Sequence, residues 1–205
     1  MDCMEGMGQF PDNYFNLAII DIPYQRGGAI TNGGTWAKKR PTNGYKWDIL
    51  PGQKYFDELF RLSKNQIMWG GNYFTDRLPI SRAWIVWDKI TEGFTAISNE
   101  LAWTSFDRKI EIYKRPHGKD RGFMNKDGGN IHPTEKPVHL YRWILKNYAR
   151  AGWKILDTHV GSGSSLIACE REGFQYVGFE IDPDYYKAAM KRIKRERQQL
   201  TLALQ

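Results

Sequence analysis

Cysteine is nearly absent from this chain: Cys3 and Cys169 are the only two thiols in 205 residues. Neither has neighbours at metal-ligand spacing, which argues against a disulfide framework and against a zinc site. No apolar run approaches the roughly 20 residues of a membrane-spanning helix. The opening Met-Asp-Cys-Met-Glu-Gly-Met lacks the basic flank and apolar core of a signal peptide. These absences predict a soluble protein in a reducing, cytoplasmic compartment. The Gly161-Ser-Gly163 turn is not followed by Gly-Lys-Ser/Thr, so a nucleoside-triphosphate loop is disfavoured, and Leu166 stands where a dinucleotide fingerprint has its third glycine.

What is abundant is positive charge and aromatic side chains. Lys and Arg number 30 against 23 Asp and Glu, a net charge of +7, and the chain carries eight Trp and eleven Tyr. The aromatics suit a packed core, and the length suits one domain over 1–205 with room for a modest insertion. The charge favours a polyanionic partner, because neutralised phosphates release counterions.

Along the chain, Leu17 to Asp21 is a short apolar run that empties into Pro23, the pattern of a buried parallel strand. Residues of about 25–50 are rich in glycine and cation, Lys38, Lys39 and Arg40 among them, and 114–130 is a second loop of that kind. Tyr55 to Ser63 has helical apolar spacing. Gln66 to Trp69, Ala83 to Trp87 and Glu100 to Phe106 read as strands, with Lys109 to Tyr113 continuing the sheet. Pro137 suits the first turn of a helix over Val138 to Tyr148. Strand Lys154 to Asp157, turn, helix Ser164 to Glu172 and strand Tyr176 to Glu180 then make a βαβ unit with a glycine-rich first turn. A last helix from Asp184 carries Lys187, Lys191, Arg192, Lys194, Arg195 and Arg197, read as a solvated face at least as readily as a phosphate-binding one.

Two constellations carry chemistry. In Asp157-Thr-His-Val-Gly161-Ser-Gly163, small residues stand where backbone passes close to a ligand at the positive end of a helix. Glu180 follows, placed to accept both hydroxyls of a ribose. A tight turn with a surface acid is the alternative, but the register of strand, turn, helix, strand and acid favours an adenosine-containing ligand. The other constellation is Asp21-Ile22-Pro23-Tyr24. An exocyclic base nitrogen is a poor nucleophile, since its lone pair is delocalised into the ring. Asp21 and the Ile22 carbonyl can accept its hydrogens, Pro23 stiffens the turn, and Tyr24 offers a face for a flipped base. Taken alone, this motif is also what a strand-ending Asp with a proline turn looks like.

Together with His132-Pro-Thr134-Glu-Lys136-Pro137, these motifs resemble the beta class of amino-group DNA methyltransferases, whose Asp-Pro-Pro-Tyr motif precedes the cofactor motif. The resemblance spans nearly the whole chain, with Met1 to Asp12 similar to the usual lead-in. It implies an α/β fold of the S-adenosylmethionine-dependent methyltransferase type, Rossmann-like, with a mostly parallel sheet, helices on both faces and permuted motif order. It implies S-adenosyl-L-methionine as cofactor. Asp157, Gly161 and Gly163 would contact its methionine portion, His159 and Ser162 would belong to the same cofactor turn, Glu180 would hold the ribose, and Thr134 and Lys136 would meet the methionine carboxylate. Asp21, Ile22, Pro23 and Tyr24 would be catalytic. The chain departs from the family at Ile22, which replaces a proline, at Thr158 and His159, which replace Pro and Phe, and at Ser164 and Ser165, which replace threonines.

The activity implied is direct methyl transfer to N6 of adenine in a specific sequence of double-stranded DNA, without a covalent intermediate. No Pro-Cys dipeptide supplies the nucleophile of a cytosine-carbon enzyme. Cytosine N4 is the nearest rival, since the family often uses Ser there at the place of Asp21; a catalytically silent DNA-binding module is the rival of another class. Target recognition falls to the two basic loops, with Lys38, Lys39, Arg40, Asn72, Tyr73 and Tyr24 as candidate substrate contacts. A modification enzyme of a bacterium, phage or mobile element fits this picture, and a homodimer is compatible with it.

Overall fold

The computed structural model of the chain describes residues 1–22, 50–90, 99–115 and 135–203. The basic loops therefore lie outside the described residues, save for Leu50 at the edge of the first and Lys114 and Arg115 at the edge of the second. So do Pro23, Tyr24, Lys38, Lys39, Arg40 and Thr134.

Seven strands form one sheet: β1 (Leu17–Asp21), β2 (Gln66–Trp69), β3 (Trp84–Asp88), β4 (Glu100–Thr104), β5 (Glu111–Lys114), β6 (Lys154–Asp157) and β7 (Gln175–Gly178). Their spatial order is β5-β3-β4-β2-β1-β6-β7. β4 alone runs against its neighbours, antiparallel to β2 and to β3, whereas β1 is parallel to both β2 and β6, and β6 to β7. The expected run from Lys109 is a strand over Glu111–Lys114, but it lies on the far edge and pairs in parallel with β3, Val86 opposite Ile112. The sequence could not place it there, because a parallel neighbour is chosen by a crossover and not by a local turn. The final strand ends at Gly178, two residues before the expected Glu180.

β1 alternates between two cores. Leu17 and Ile19 join a cluster with Ile67, Trp69, Ile85 and Trp87 that is covered by α3 (Val138–Tyr148), α4 (Ser164–Glu172) and α5 (Pro183–Ala203). Ala18 and Ile20 face the other cluster, with Met68, Trp103 and Leu156, under α1 (Cys3–Met7) and α2 (Gln53–Leu62). The two-residue period of a strand sends successive side chains to opposite faces, so a wholly apolar strand requires cover on both. α2 supplies it with Tyr55, Phe56, Leu59 and Leu62, all buried on one helical stripe. Trp87 and Trp103 are core, as their setting in the sequence suggests, and Trp84 is half-buried.

The helix after β1 thus covers one face and the helix after β6 the other. Adjacent parallel strands whose crossovers leave on opposite sides open a crevice at their carboxyl ends. Asp21 ends β1 and Asp157 ends β6, so both carboxylates stand at that crevice.

Gly178 lets β7 pass close under the turn that follows β6. A Cβ there would lie 2.5 Å from Val160 Cγ2 and 2.9 Å from Leu166 Cδ1. Gly178→Ala is expected to destabilise the fold by about 1–3 kcal/mol through overpacking, read as a lower midpoint of thermal unfolding. An unchanged midpoint would show that the turn has slack.

Candidate active site

The turn after β6 is built from backbone conformations that suit glycine. Gly161 has φ 51° and Gly163 φ 80°, and a Cβ at Gly163 would come to 3.3 Å from the Ala189 methyl of α5. The turn is bound to the end of β7, with Val160 N donating to Phe179 O at 3.0 Å and Phe179 N to Asp157 O at 2.9 Å. Its amides then find carboxylates: Asp157 Oδ1 accepts from His159 N at 2.9 Å, and Glu180 Oε2 accepts from Gly161 N at 2.7 Å. The Ser165 hydroxyl donates to Asp157 Oδ2. Arg192, from α5, donates to Ser162 O at 3.0 Å and Ser164 Oγ at 3.1 Å, and its guanidinium lies 2.9 Å from Glu135 Oε1. One side chain of the last helix therefore ties the glycine turn to the segment before α3.

Burial raises the Asp157 pKa to about 7, against the lowering effect of the Ser165 hydroxyl and the His159 amide; Asp21 and Glu180 push it further up. Burial likewise raises that of Glu180. Two carboxylates reluctant to ionise, at the mouth of a glycine turn and a helix N-terminus, suit a ligand that brings a cation and hydroxyl donors. S-adenosylmethionine carries a sulfonium, an ammonium and a ribose, so the residues present fit it.

Beside the turn, charges on buried and half-buried side chains cluster around Asp21. Lys136 Nζ is 2.5 Å from Asp21 Oδ2 and 3.1 Å from Glu100 Oε2, and the other oxygen of Glu100 accepts from Lys89 Nζ at 2.6 Å. Lys136 and Lys89 are 4% and 6% exposed, which lysines accept only when paired. Burial alone would raise the Glu100 pKa; Lys136 and Lys89 overcome that and hold it at about 2.

The family model for DNA methylases matches residues 14–191, most of the chain. The chain belongs to the DNA methylase family. It is an amino-group DNA methyltransferase of the N6/N4 kind, a family that uses S-adenosylmethionine. YubD of Escherichia coli (strain K12) is 25% identical over 209 residues, covering 94% of this chain and 87% of that protein. The type II methyltransferase M2.DpnII of Streptococcus pneumoniae is 28% identical over 173 residues, 84% of this chain but 54% of that relative, so the chain spans about half of its length. Among solved structures, TTHA0409 of Thermus thermophilus, complexed with S-adenosyl-L-methionine, shares the fold at a TM-score of 0.60 and 20% identity over 95% of this chain and 91% of that one. The α/β methyltransferase fold that the motifs imply is thus the fold observed.

Of the site residues named from sequence, this DNA methylase brings Asp21, Asp157, His159, Gly161, Ser162, Gly163 and Glu180 to one end of the sheet. Ile22 follows Asp21 with its side chain buried in the core beneath α2. His159 meets Thr158 Oγ1 through Nδ1 at 2.9 Å, and Thr158 in turn meets Tyr55 OH at 2.6 Å. Burial lowers the His159 pKa to about 4, so the ring is neutral near pH 7. Asn72 and Tyr73 form a 3₁₀ turn directly after β2 and are exposed. Lys136, matched by resemblance to the methionine carboxylate, is held by Asp21 and Glu100.

Glu100, Lys89, Arg192 and Tyr55 escaped sequence reasoning. Arg192 had a signal: it adjoins the stripe of Ala189, Ile193 and Glu196, the buried face of α5, while Lys187, Lys191, Lys194, Arg195 and Arg197 are exposed. Arg192 turns inward to Ser162, Ser164 and Glu135, and Arg197 pairs with Glu170 from the exposed side of the helix.

The Asp157 environment has a consequence for pH. Its pKa is about 7 in the folded chain against an ordinary 3.8, so between these values the native state binds more protons than the unfolded one, and stability falls as pH rises. Asp157→Asn is expected to remove that slope from thermal unfolding curves taken in the absence of cofactor. Cofactor affinity runs the other way: ionised Asp157 attracts a cationic ligand, so the Kd for S-adenosylmethionine falls as pH rises from about 6 to about 8. Calorimetric titration checks both, and a pH-independent Kd would remove Asp157 from the contact.

Proposed function

We propose that the enzyme methylates N6 of adenine within a specific sequence of double-stranded DNA. The observation that carries this reading is the place of Asp21, which closes a buried strand beside the cofactor turn and is held there by a buried lysine. S-adenosylmethionine, when bound, supplies an electrophilic methyl group on a sulfonium. The chain must bind it, present the base and handle the protons of the amino group.

Asp157, His159, Gly161, Ser162 and Gly163 line the methionine side of the cofactor, and Glu180, fixed by the Gly161 and Asp182 amides, accepts from the ribose. Each Glu180 oxygen has two lone-pair directions, so an amide and a hydroxyl can share it. Thr134 completes the methionine side. His159, neutral and hydrogen-bonded to Thr158, offers an aromatic wall without a second positive charge beside a sulfonium.

Asp21 and the Ile22 carbonyl accept the two hydrogens of the target amino group, which draws its lone pair out of conjugation and toward the methyl donor. Asp21 is also the nearest carboxylate to receive the proton that the methylated nitrogen gives up. Tyr24 stacks on the flipped base, Pro23 stiffens the turn, and Asn72 and Tyr73 stand on the neighbouring strand end to receive it. An adenine offers a wider ring to that stack than a cytosine. The residues of about 25–50 and 114–130, with Lys38, Lys39 and Arg40, read the DNA.

The test is transfer of labelled methyl from S-adenosylmethionine to unmethylated duplex DNA, with nucleoside analysis of the product. N6-methyladenine is expected; Asp21→Ala should lower the rate at least about a hundredfold, as loss of a group acting in the transition state does, while cofactor affinity stays near wild type. N4-methylcytosine as product would keep the chemistry and replace the target base. An Asp21→Ala enzyme of full activity would remove Asp21 from the mechanism.

A further inference from the structure

The side chains of Asp21, Lys136, Glu100 and Lys89 alternate in charge along one chain, its lysines buried and its carboxylates half-buried, and come from four segments: the end of β1, the approach to α3, the start of β4 and the residue after β3. Because β4 runs against its neighbours, its first residue lies at the carboxyl end of the parallel strands, with Glu100 opposite Trp87. Glu100 uses both oxygens, one 2.6 Å from Lys89 and one 3.1 Å from Lys136. The two ammonium groups also lie over tryptophan rings, Lys136 5.5 Å from Trp69 and Lys89 4.8 Å from Trp87.

Drawing two ammonium groups fully and two carboxylates largely out of water is a poor route to stability, since apolar side chains would fill the same space at lower cost. Such a chain does fix geometry. A lysine has four flexible bonds and a compact charge that a single carboxylate holds in many rotamers. A second carboxylate on a rigid strand removes that freedom, and Lys89 balances the added negative charge so that Glu100 does not repel Asp21.

We propose that Glu100 is a positioning residue for methyl transfer: it holds the Lys136 ammonium against Asp21 and thereby orients the Asp21 carboxylate toward the target amino group. This rests on the role given to Asp21 above. Glu100 touches neither cofactor nor DNA in this account, so its effect belongs to the chemical step and not to binding.

Steady-state and single-turnover transfer with E100Q and E100D tests this, with wild type measured alongside. E100Q keeps the shape of the side chain and loses its charge; its kcat is expected to fall by on the order of a hundredfold, the cost of misplacing a reacting group by about 1 Å, while KM for S-adenosylmethionine and for DNA and the unfolding midpoint stay near wild type. E100D retains the carboxylate on a shorter stem and should recover part of the loss. Wild-type kcat in E100Q, an E100D no better than E100Q, or a loss matched by equal rises in both KM values overturns the assignment. Should E100Q fail to fold, K89M/E100Q removes one charge of each sign and is expected to show the same fall in kcat; full activity in it overturns the assignment as well. A wild-type chain that transfers no methyl to DNA would bring down the functional reading and Glu100 with it, an outcome distinct from an active wild type with an equally active E100Q.

Discussion

The pairing of β1 with β6 is the constraint on which the site depends. Leu17 lies opposite Ile155 and Ala18 opposite Leu156, and this parallel register carries Asp21 and Asp157 to the same edge of the sheet. A shift of one residue would turn the apolar side chains of β1 to the wrong core clusters, so packing on both faces protects the register. The distance in sequence between the two acids is bridged by hydrogen bonds and hydrophobic burial alone. Catalytic geometry is thus inherited from the core.

Around that edge, the chain keeps ionisable groups in opposite states by environment. Asp157, whose oxygens meet a hydroxyl and an amide, is raised to about 7. Glu100, also withdrawn from water though less deeply, is held at about 2 by two lysines. Burial pushes both in the same direction, and an ammonium at contact distance decides which way the balance falls. One carboxylate is thereby suited to wait for a cationic ligand, the other to act as a permanent anion in the framework.

The short-range features of this arrangement were legible in the sequence. The strand at Leu17–Asp21, the glycine turn, the helix over Ser164–Glu172 and the acid at 180 are all signalled within a few residues, by an apolar run, by glycines where φ is positive and by a periodic helix. What was not legible depends on partners remote in the chain. Lys136 is matched to the methionine carboxylate by resemblance; that it meets Asp21 and Glu100 follows from strand order, which no local pattern encodes. Arg192 lay within a run of cations, and only the buried stripe beside it separates the one that turns inward. The placement of β5 escaped for the same reason, since its parallel pairing with β3 needs a crossover.

The departures at Ile22, Thr158 and His159 can be weighed on the same physical grounds. Where a proline at position 22 would restrict the backbone through its ring, Ile22 is anchored by burial: its side chain belongs to the core cluster that holds Tyr55, Phe56 and Phe74. At the cofactor turn, Thr158 brings a hydroxyl where the family has an apolar ring, and a buried hydroxyl without a partner would be costly. It has two, Tyr55 OH and His159 Nδ1. The Thr158 hydroxyl and His159 Nδ1 therefore serve each other, and α2 supplies the tyrosine that completes the chain. His159→Phe would leave the Thr158 hydroxyl with Tyr55 OH alone.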